Sequence, residues 1–254
     1  MKEMKLKDKI REKNTLGTWI TIDHQVVYEA VAQYDFDWVL IDLEHSAIDF
    51  SGLHKAISFF NKTEIGCLVR PPVIDNIYIK RIMDFGADGI VIPNVENSKD
   101  IESAVNFMKY PPKGSRGAGL FSAQDYGNNF DNYYTSSNSN SVLVVQIENK
   151  EAVKNLDDIV DNSSIDAILI GPYDLSSSLG LPGDFQNKLY IKEIEKIKKI
   201  ANAKNISIGI HVIEPELKNL ELAREQGFKF VGYGLDFKFI TNHLLSLKKY
   251  KNVK

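Results

Sequence analysis

Two acidic residues, Glu148 and Asp174, each follow a short apolar segment and form the most suggestive pair of chemical groups in the sequence. If the two segments are neighbouring strands of a parallel sheet, their backbones lie about 4.8 Å apart and the two carboxylates converge. Two anions in that position repel each other unless a cation or a proton lies between them. Oxygen ligands alone are typical of a hard divalent ion such as Mg²⁺ or Mn²⁺. We therefore predict a divalent-metal site here, the alternative being that each acid pairs with a lysine or arginine.

Polar residues also end two earlier apolar segments. His45 is the obvious proton carrier, because an imidazole titrates near pH 6.5 and acts as acid or base at neutral pH. Asp42, three residues before it, is expected to orient the ring. Arg70 ends another apolar segment, where a guanidinium is costly to bury without an anion. We expect it to pair with Glu44 or Glu148, or to face a carboxylate or enolate of a substrate.

Eight short segments rich in Val, Ile and Leu recur along the chain, most of them followed by apolar residues at helical spacing. Such continuous apolar runs are typical of strands buried on both faces of a parallel sheet. About eight strand–helix units in 254 residues predict a single-domain (β/α)8 TIM barrel spanning residues 1–254, with an open doubly wound sheet as the alternative. The polar residues above fall at the carboxyl ends of the strands, where barrel enzymes carry their active sites. The predicted strands are Thr18–Ile22, Trp38–Ile41, Ile65–Val69, Gly89–Val95, Val142–Ile147, Ala167–Ile170, Ser207–Val212 and Phe230–Leu235.

Two long connections interrupt this rhythm, Tyr110–Ser141 and Asp174–Lys188, and both are expected on the carboxyl-terminal side of the barrel. Within the first, the Asn/Ser-rich stretch Thr135–Ser141 predicts a solvated loop. The glycine-rich Gly114–Gly119 follows two prolines instead of a buried strand, so we interpret it as a shaped loop near the mouth and not as a phosphate site. Gly86 is expected to end a helix.

Composition argues against several classes of protein. The formal net charge of −3 disfavours a broad cationic face for nucleic acid. No apolar run approaches the roughly 18 residues of a membrane span, and residues 1–14 lack the apolar core of a secretion signal. The single cysteine, Cys67, fits a reducing compartment, so a cytoplasmic protein is expected. The predicted strands contain no lysine, which disfavours a Schiff-base aldolase.

The sequence resembles the HpcH/HpaI group of metal-dependent (class II) pyruvate aldolases, which act on 4-hydroxy-2-oxo acids. The resemblance runs in order over nearly the whole chain, and it implies a barrel of the phosphoenolpyruvate/pyruvate type. The segments that carry it include Phe36–Ser46 (FDWVLIDLEHS), Ile79–Val95 (IKRIMDFGADGIVIPNV), Tyr110–Gly119 (YPPKGSRGAG), Val144–Ile159 (VVQIENKEAVKNLDDI) and Ile165–Gly180 (IDAILIGPYDLSSSLG).

The resemblance implies a role for each of the strand-end residues. Glu148 and Asp174 match the ligands of a divalent metal, Mg²⁺ or Mn²⁺, with Co²⁺ as a further candidate. His45 matches the general base, with Asp42 as its near partner, and Arg70 matches the residue that stabilises the enolate.

The resemblance also implies features that the residues alone do not suggest. Asp84 matches an acid that raises the basicity of the histidine and is supplied across a subunit interface. Gln146 and the backbone at Tyr173, together with Asp174, match positions that contact the bound keto acid. Members of the group assemble as hexamers and often exchange their last helix, a role that the apolar side of Phe237–Leu247 would serve.

The leading hypothesis is reversible cleavage of a 4-hydroxy-2-oxo acid to pyruvate and an aldehyde. One alternative is an acyl-CoA lyase of the citrate or malyl-CoA lyase type, which needs cationic contacts for the nucleotide, and no basic stripe is present. Another is a catalytically silent barrel that binds a ligand, which the intact base, arginine and acidic pair argue against. The identity of the aldehyde is left open.

Overall fold

The computed structural model describes residues 4–251, which form a closed barrel of eight parallel strands. Each strand pairs with the next one along the chain, and the last pairs with the first, so the predicted (β/α)8 barrel is confirmed and the open sheet is excluded. The strands are β1 (Thr15–Ile20), β2 (Trp38–Asp42), β3 (Gly66–Arg70), β4 (Gly89–Ile92), β5 (Val142–Ile147), β6 (Ala167–Ile170), β7 (Ser207–Val212) and β8 (Phe230–Leu235).

Helices connect the strands and surround the barrel. None of the helices within residues 4–251 is long and apolar enough to cross a membrane. The helices are α1 (Leu6–Glu12), α2 (Gln25–Val31), α3 (Phe50–Phe60), α4 (Asn76–Phe85), α5 (Ser98–Met108), α6 (Phe130–Asn140), α7 (Lys150–Lys154), α8 (Leu156–Val160), α9 (Pro172–Ser178), α10 (Lys188–Ala203), α11 (Leu217–Glu225) and α12 (Asp236–Lys251), with a 3₁₀ helix at Ser122–Gly127.

The strands are apolar on both faces because each face packs against a separate core. In β2, Trp38 and Leu40 belong to the cluster inside the barrel, whereas Val39 and Ile41 belong to the layer between the strands and the helices. This alternation follows from the two-residue period of a strand. The inner cluster also includes Phe230, whose ring stacks on Trp38 at 4.3 Å between centroids.

Strand and helix ends follow local chemistry. Helix α4 begins after Asp75, whose carboxylate accepts hydrogen bonds from the backbone N–H groups of Ile77 and Tyr78, and it ends at Gly86. Gly86 has φ of 98°, a left-handed conformation that favours glycine, so the predicted stop is confirmed. Strand β1 lies earlier than predicted, because Thr15–Gly17 pairs with β8 and the glycine weakens the strand signal in the sequence.

The long connection Tyr110–Ser141 lies differently from the prediction. It follows α5, which runs back from the mouth, so it begins at the amino-terminal end of the barrel, and Gly114–Gly119 lies there as well. The predicted solvated loop Thr135–Ser141 is also wrong, because residues up to Asn140 form the second half of α6. The side chain of Asn138 in this helix exchanges two hydrogen bonds with the backbone of Tyr110, at 2.7 and 2.9 Å.

Candidate active site

Arg70 is the central cation of the mouth. It ends β3, directly beside Asp42 at the end of β2, since the two residues are register partners. Its Nε and Nη2 atoms donate to the two carboxylate oxygens of Asp42 at 2.9 and 2.7 Å, and its Nη1 lies 3.0 Å from Oε2 of Glu44. Arg70 is only 5% exposed, so these two acids compensate the cost of burying its charge. The expected pairing with Glu44 is therefore present, and the pairing with Asp42 is an addition.

Glu148 lies one residue beyond the end of β5 and is also buried, at 5% exposure. Its Oε1 accepts a 2.6 Å hydrogen bond from the backbone N–H of Asn94, and its Oε2 accepts one from the side-chain amide of Gln146. The carbonyl oxygen of the same amide lies 3.4 Å from Nη1 of Arg70, so Gln146 connects the carboxylate with the guanidinium. Burial raises the pKa of Glu148, and the charges of Glu44 and Asp174 raise it further.

Asp174 supplies a second carboxylate near Glu148. It lies in the first turn of α9, just after β6, and is exposed at the mouth. Because it raises the pKa of both Glu148 and Glu44, the three acids share one electrostatic field. Together, Glu44, Glu148 and Asp174 carry more negative charge than the single guanidinium of Arg70 neutralises.

The donor set at this position fits a divalent cation. Within residues 4–251, no cluster of three or more His, Cys, Asp or Glu side chains has the geometry of a metal site. The pair Glu148 and Asp174 offers oxygen ligands only, in a field of excess negative charge, which is the environment that Mg²⁺ or Mn²⁺ prefers. A cation bound by these two side chains would keep coordination positions for water and substrate.

His45 follows β2 by three residues, and its side chain is 70% exposed. Its Nε2 lies 3.8 Å from Oε2 of Glu44. Asp42 acts on the turn and not on the ring: its Oδ1 accepts from the backbone N–H groups of Glu44 and His45 at 3.0 and 3.4 Å. No hydrogen bond among the described residues joins Asp42 to the imidazole, so the expected contact with the ring is wrong in this structure.

Asp84 lies far from these residues within one chain. It is in the last turn of α4, which leads into the start of β4, so it sits at the amino-terminal end of the barrel. Its carboxylate pairs with the fully buried guanidinium of Arg116 at 2.7 Å. Burial raises the pKa of Asp84, and Arg116 opposes this shift.

Two other strand-end residues have different environments. Tyr173 is 50% exposed beside Asp174, and its ring packs edge-on against Phe185 at 5.0 Å. Asp236, which follows β8, is buried and accepts from the backbone N–H groups of Thr21 and Ile22. It therefore ties β8 to the end of β1 and serves the fold.

Sequence reasoning missed two residues that organise the mouth. Asn94 binds Glu148 through its backbone and Glu44 through its side-chain amide, at 2.6 and 3.1 Å. Trp19 lies near the end of β1, with its ring 4.4 Å below the guanidinium carbon of Arg70. The only available signal was an asparagine directly after Pro93 and an aromatic residue near a strand end.

Known proteins similar to this chain include aldolases, in agreement with an active site at the strand ends. The chain belongs to the HpcH/HpaI aldolase/citrate lyase family, which matches residues 15–243. A 2-keto-3-deoxy-L-rhamnonate aldolase of Salmonella typhi is 32% identical over 251 residues, which cover 97% of this chain and 93% of that protein. A hydroxypyruvate/pyruvate aldolase of Roseobacter denitrificans is 30% identical over 239 residues, which cover 93% and 92% of the two chains.

A solved structure agrees as well. The HpcH/HpaI aldolase from Desulfitobacterium hafniense superposes with a TM-score of 0.91 at 26% identity, over 99% of this chain and 98% of that one. The predicted family is therefore confirmed. The predicted class of reaction, cleavage of a carbon–carbon bond by an aldolase, is confirmed with it.

Proposed function

We propose that the protein is a divalent-metal-dependent aldolase that cleaves a 4-hydroxy-2-oxo acid reversibly to pyruvate and an aldehyde. The observation that carries this proposal is the excess of carboxylate charge around Glu148 and Asp174, directly beside the buried guanidinium of Arg70. Glu148 and Asp174 would hold the cation, Mg²⁺, Mn²⁺ or Co²⁺, which would supply Lewis-acid polarisation of the keto oxygen.

The roles of the side chains follow from their positions. His45, exposed at the mouth, takes the proton of the 4-hydroxyl group as the bond between C3 and C4 breaks. The bonding electrons pass to the enolate of pyruvate, beside which Arg70 holds a fixed positive charge. The enolate then takes a proton from solvent at C3, which completes pyruvate, and His45 releases its proton to solvent, which restores the base. Gln146 and the backbone at Tyr173 contact the keto acid, and Asp42 holds Arg70 and the turn that carries His45.

We further propose that the enzyme works as a homo-oligomer, a hexamer, in which Asp84 of one chain approaches the His45 of another. Its placement away from the mouth of its own barrel supports this arrangement, because within one chain it has no route to the histidine. The last helix, α12, supports it too, since it exposes a row of apolar side chains: Phe237, Ile240, Leu244, Leu245 and Leu247. The unpaired cysteine supports a cytoplasmic location.

Exchange of the methyl protons of pyruvate in D₂O tests the function without knowledge of the aldehyde. The purified protein should catalyse this exchange with added Mg²⁺ or Mn²⁺ and stop when a chelator is added. The variant Glu148→Gln, which keeps the shape but removes the charge, should lose exchange. Exchange that persists in chelator would refute the metal role, and a protein inert with every divalent ion would refute the aldolase proposal. A screen of aldehydes with pyruvate then identifies the acceptor.

A further inference from the structure

Two planar side chains rest on the indole of Trp19 at the floor of the mouth. The guanidinium carbon of Arg70 lies 4.4 Å from the centre of the ring. The imidazole of His211 lies parallel to the ring, with 4.4 Å between centroids and 3° between planes. These residues come from β3, β1 and β7, and β3 and β7 are each two strands away from β1 in the barrel order.

The backbone leaves room for this stack at Gly232. Gly232 is the register partner of His211 on β8. A Cβ atom at this position would lie 2.9 Å from Nε1 of Trp19 and 3.3 Å from Cδ2 of His211, so a larger residue would displace one of the two rings. The indole Nε1 is buried and has no hydrogen-bond partner among the described residues. A buried indole N–H usually has a hydrogen-bond partner. Because this one has none among the described residues, we attribute the position of the ring to its packing against the neighbouring groups.

His211 is itself fixed and uncharged. Its Nε2 lies 2.9 Å from the carbonyl oxygen of Gly234, and because a carbonyl only accepts, Nε2 carries the proton. Burial lowers the pKa of His211 to about 4, and the positive charge of Arg70 contributes to the shift. A neutral imidazole can lie close to the guanidinium without charge repulsion, as the stack requires.

We infer that His211 is a positioning residue for the reaction: it holds Trp19 against the face of Arg70 and so fixes the plane of the guanidinium. The carboxylates of Asp42 and Glu44 bind the edge of that guanidinium, but they leave its face uncovered. The indole supplies the contact to the face, through the attraction between a cation and an aromatic ring. The inference rests on the proposed function, in which Arg70 stabilises the enolate.

A pair of substitutions separates the ring of His211 from its hydrogen bond. His211→Gln keeps a donor for Gly234 but removes the ring, whereas His211→Phe keeps a ring and removes the donor. We expect His211→Gln to lower kcat for both pyruvate proton exchange and aldol cleavage by about tenfold, with little change in KM, because small displacements of a catalytic group cost rate. We expect His211→Phe to retain most of the kcat of the parent protein. Equal losses in the two variants would overturn the inference.

A double-mutant cycle with Arg70→Lys shows whether His211 acts through Arg70. A lysine has no planar face to stack, so His211→Gln should have little further effect in the Arg70→Lys background. Multiplicative losses would show that His211 acts independently of the guanidinium and would overturn the inference. If His211→Gln does not fold, as judged by thermal unfolding, Trp19→Leu replaces it in the same cycle with the same expectation.

The result also distinguishes this inference from the proposed function. A parent protein without metal-dependent exchange would refute the function and the inference with it. An active parent whose folded His211→Gln variant exchanges at the parent rate would refute the inference alone.

Discussion

The backbone N–H of Asn94 donates a 2.6 Å hydrogen bond to Oε1 of Glu148, one of the two proposed metal ligands. The contact depends on an unusual backbone conformation, because Asn94 has φ of 52° directly after Pro93. Asparagine tolerates this left-handed region better than most residues with a side chain. Its side-chain amide uses the same conformation to reach Glu44 at 3.1 Å. The geometry of one acid therefore depends on the dihedral angles of a residue on the neighbouring strand end.

Asn94→Ala should weaken binding of Mg²⁺ or Mn²⁺, since alanine disfavours the left-handed conformation that directs the N–H toward Glu148. The loss should be about tenfold or more, the usual effect of removing a group that orients a metal ligand. Asn94→Gly is the matched control, because glycine keeps the conformation and loses only the contact to Glu44. Titration calorimetry with each metal checks this, and equal affinities for the two variants would contradict it.

The two acids should act as one unit. Replacing Glu148 and Asp174 together by Gln and Asn should abolish metal binding and remove metal dependence along with turnover, since no oxygen anion of the pair is left. Each single variant should retain weaker binding. The measurement is metal affinity beside aldol activity, and full activity of the double variant in chelator would disprove the assignment of these residues as ligands.

His45→Ala should lower aldol turnover by about two to four orders of magnitude, the usual contribution of a general base, while metal affinity stays at the parent value. The side chain is exposed and is not one of the proposed ligands, so its removal should leave the free energy of unfolding nearly unchanged. Turnover, metal titration and urea unfolding of the same preparation check the three expectations. Unchanged turnover would refute the role of His45 as base.

The sequence predicts which residues meet at this site, because apolar runs identify the strands and a parallel barrel brings the carboxyl ends of its strands together. That reasoning places Glu148, Arg70 and Asp174 at one mouth, where the structure has them. It does not give side-chain direction. Asp42 illustrates the limit, since three-residue spacing suggested contact with His45, whereas the register between β2 and β3 gives its carboxylate to Arg70.

Tertiary contacts explain the remaining differences between the sequence-based predictions and the structure. Residues Thr135–Asn140 have weak helix propensity, and they are helical because Asn138 binds the backbone of Tyr110 and Tyr134 stacks on its ring at 4.5 Å. The stack of His211 on Trp19 depends on barrel closure, because the pairing of β1 with β8 brings β7 within two strands of β1. Such pairings over long sequence separations leave no local pattern for a reader of the sequence to find.

Stability should depend on pH through His211. Its pKa of about 4 in the folded protein is below the ordinary value of 6.5, because burial disfavours the charged ring and Arg70 adds to the shift, while the hydrogen bond to Gly234 and the charge of Asp42 oppose it. Between these pH values the unfolded chain binds more protons, so the free energy of unfolding should fall as the pH drops from 6.5 to 4. The contribution of His211 to this fall is at most about 3 kcal/mol.

The variant His211→Phe isolates this contribution, because phenylalanine keeps a ring and does not titrate. Urea unfolding at pH 7 and pH 5 should give a steeper loss of stability for the parent than for the variant. The same loss in both proteins would show that other groups cause the dependence.

Asp84 allows a test of assembly that needs no structure of the oligomer. Asp84→Asn and His45→Ala should each be nearly inactive on their own. In oligomers reassembled from equal amounts of the two, a site that combines His45 of one chain with Asp84 of another is intact. Random mixing of two chain types gives about one quarter of such sites, so about one quarter of the parent activity should return. The Asp84→Asn variant requires a control, because the buried Arg116 loses the carboxylate with which it pairs. Unfolding of the Asp84→Asn protein should therefore be measured first, and a folded variant that restores no activity after mixing would contradict a site shared between chains.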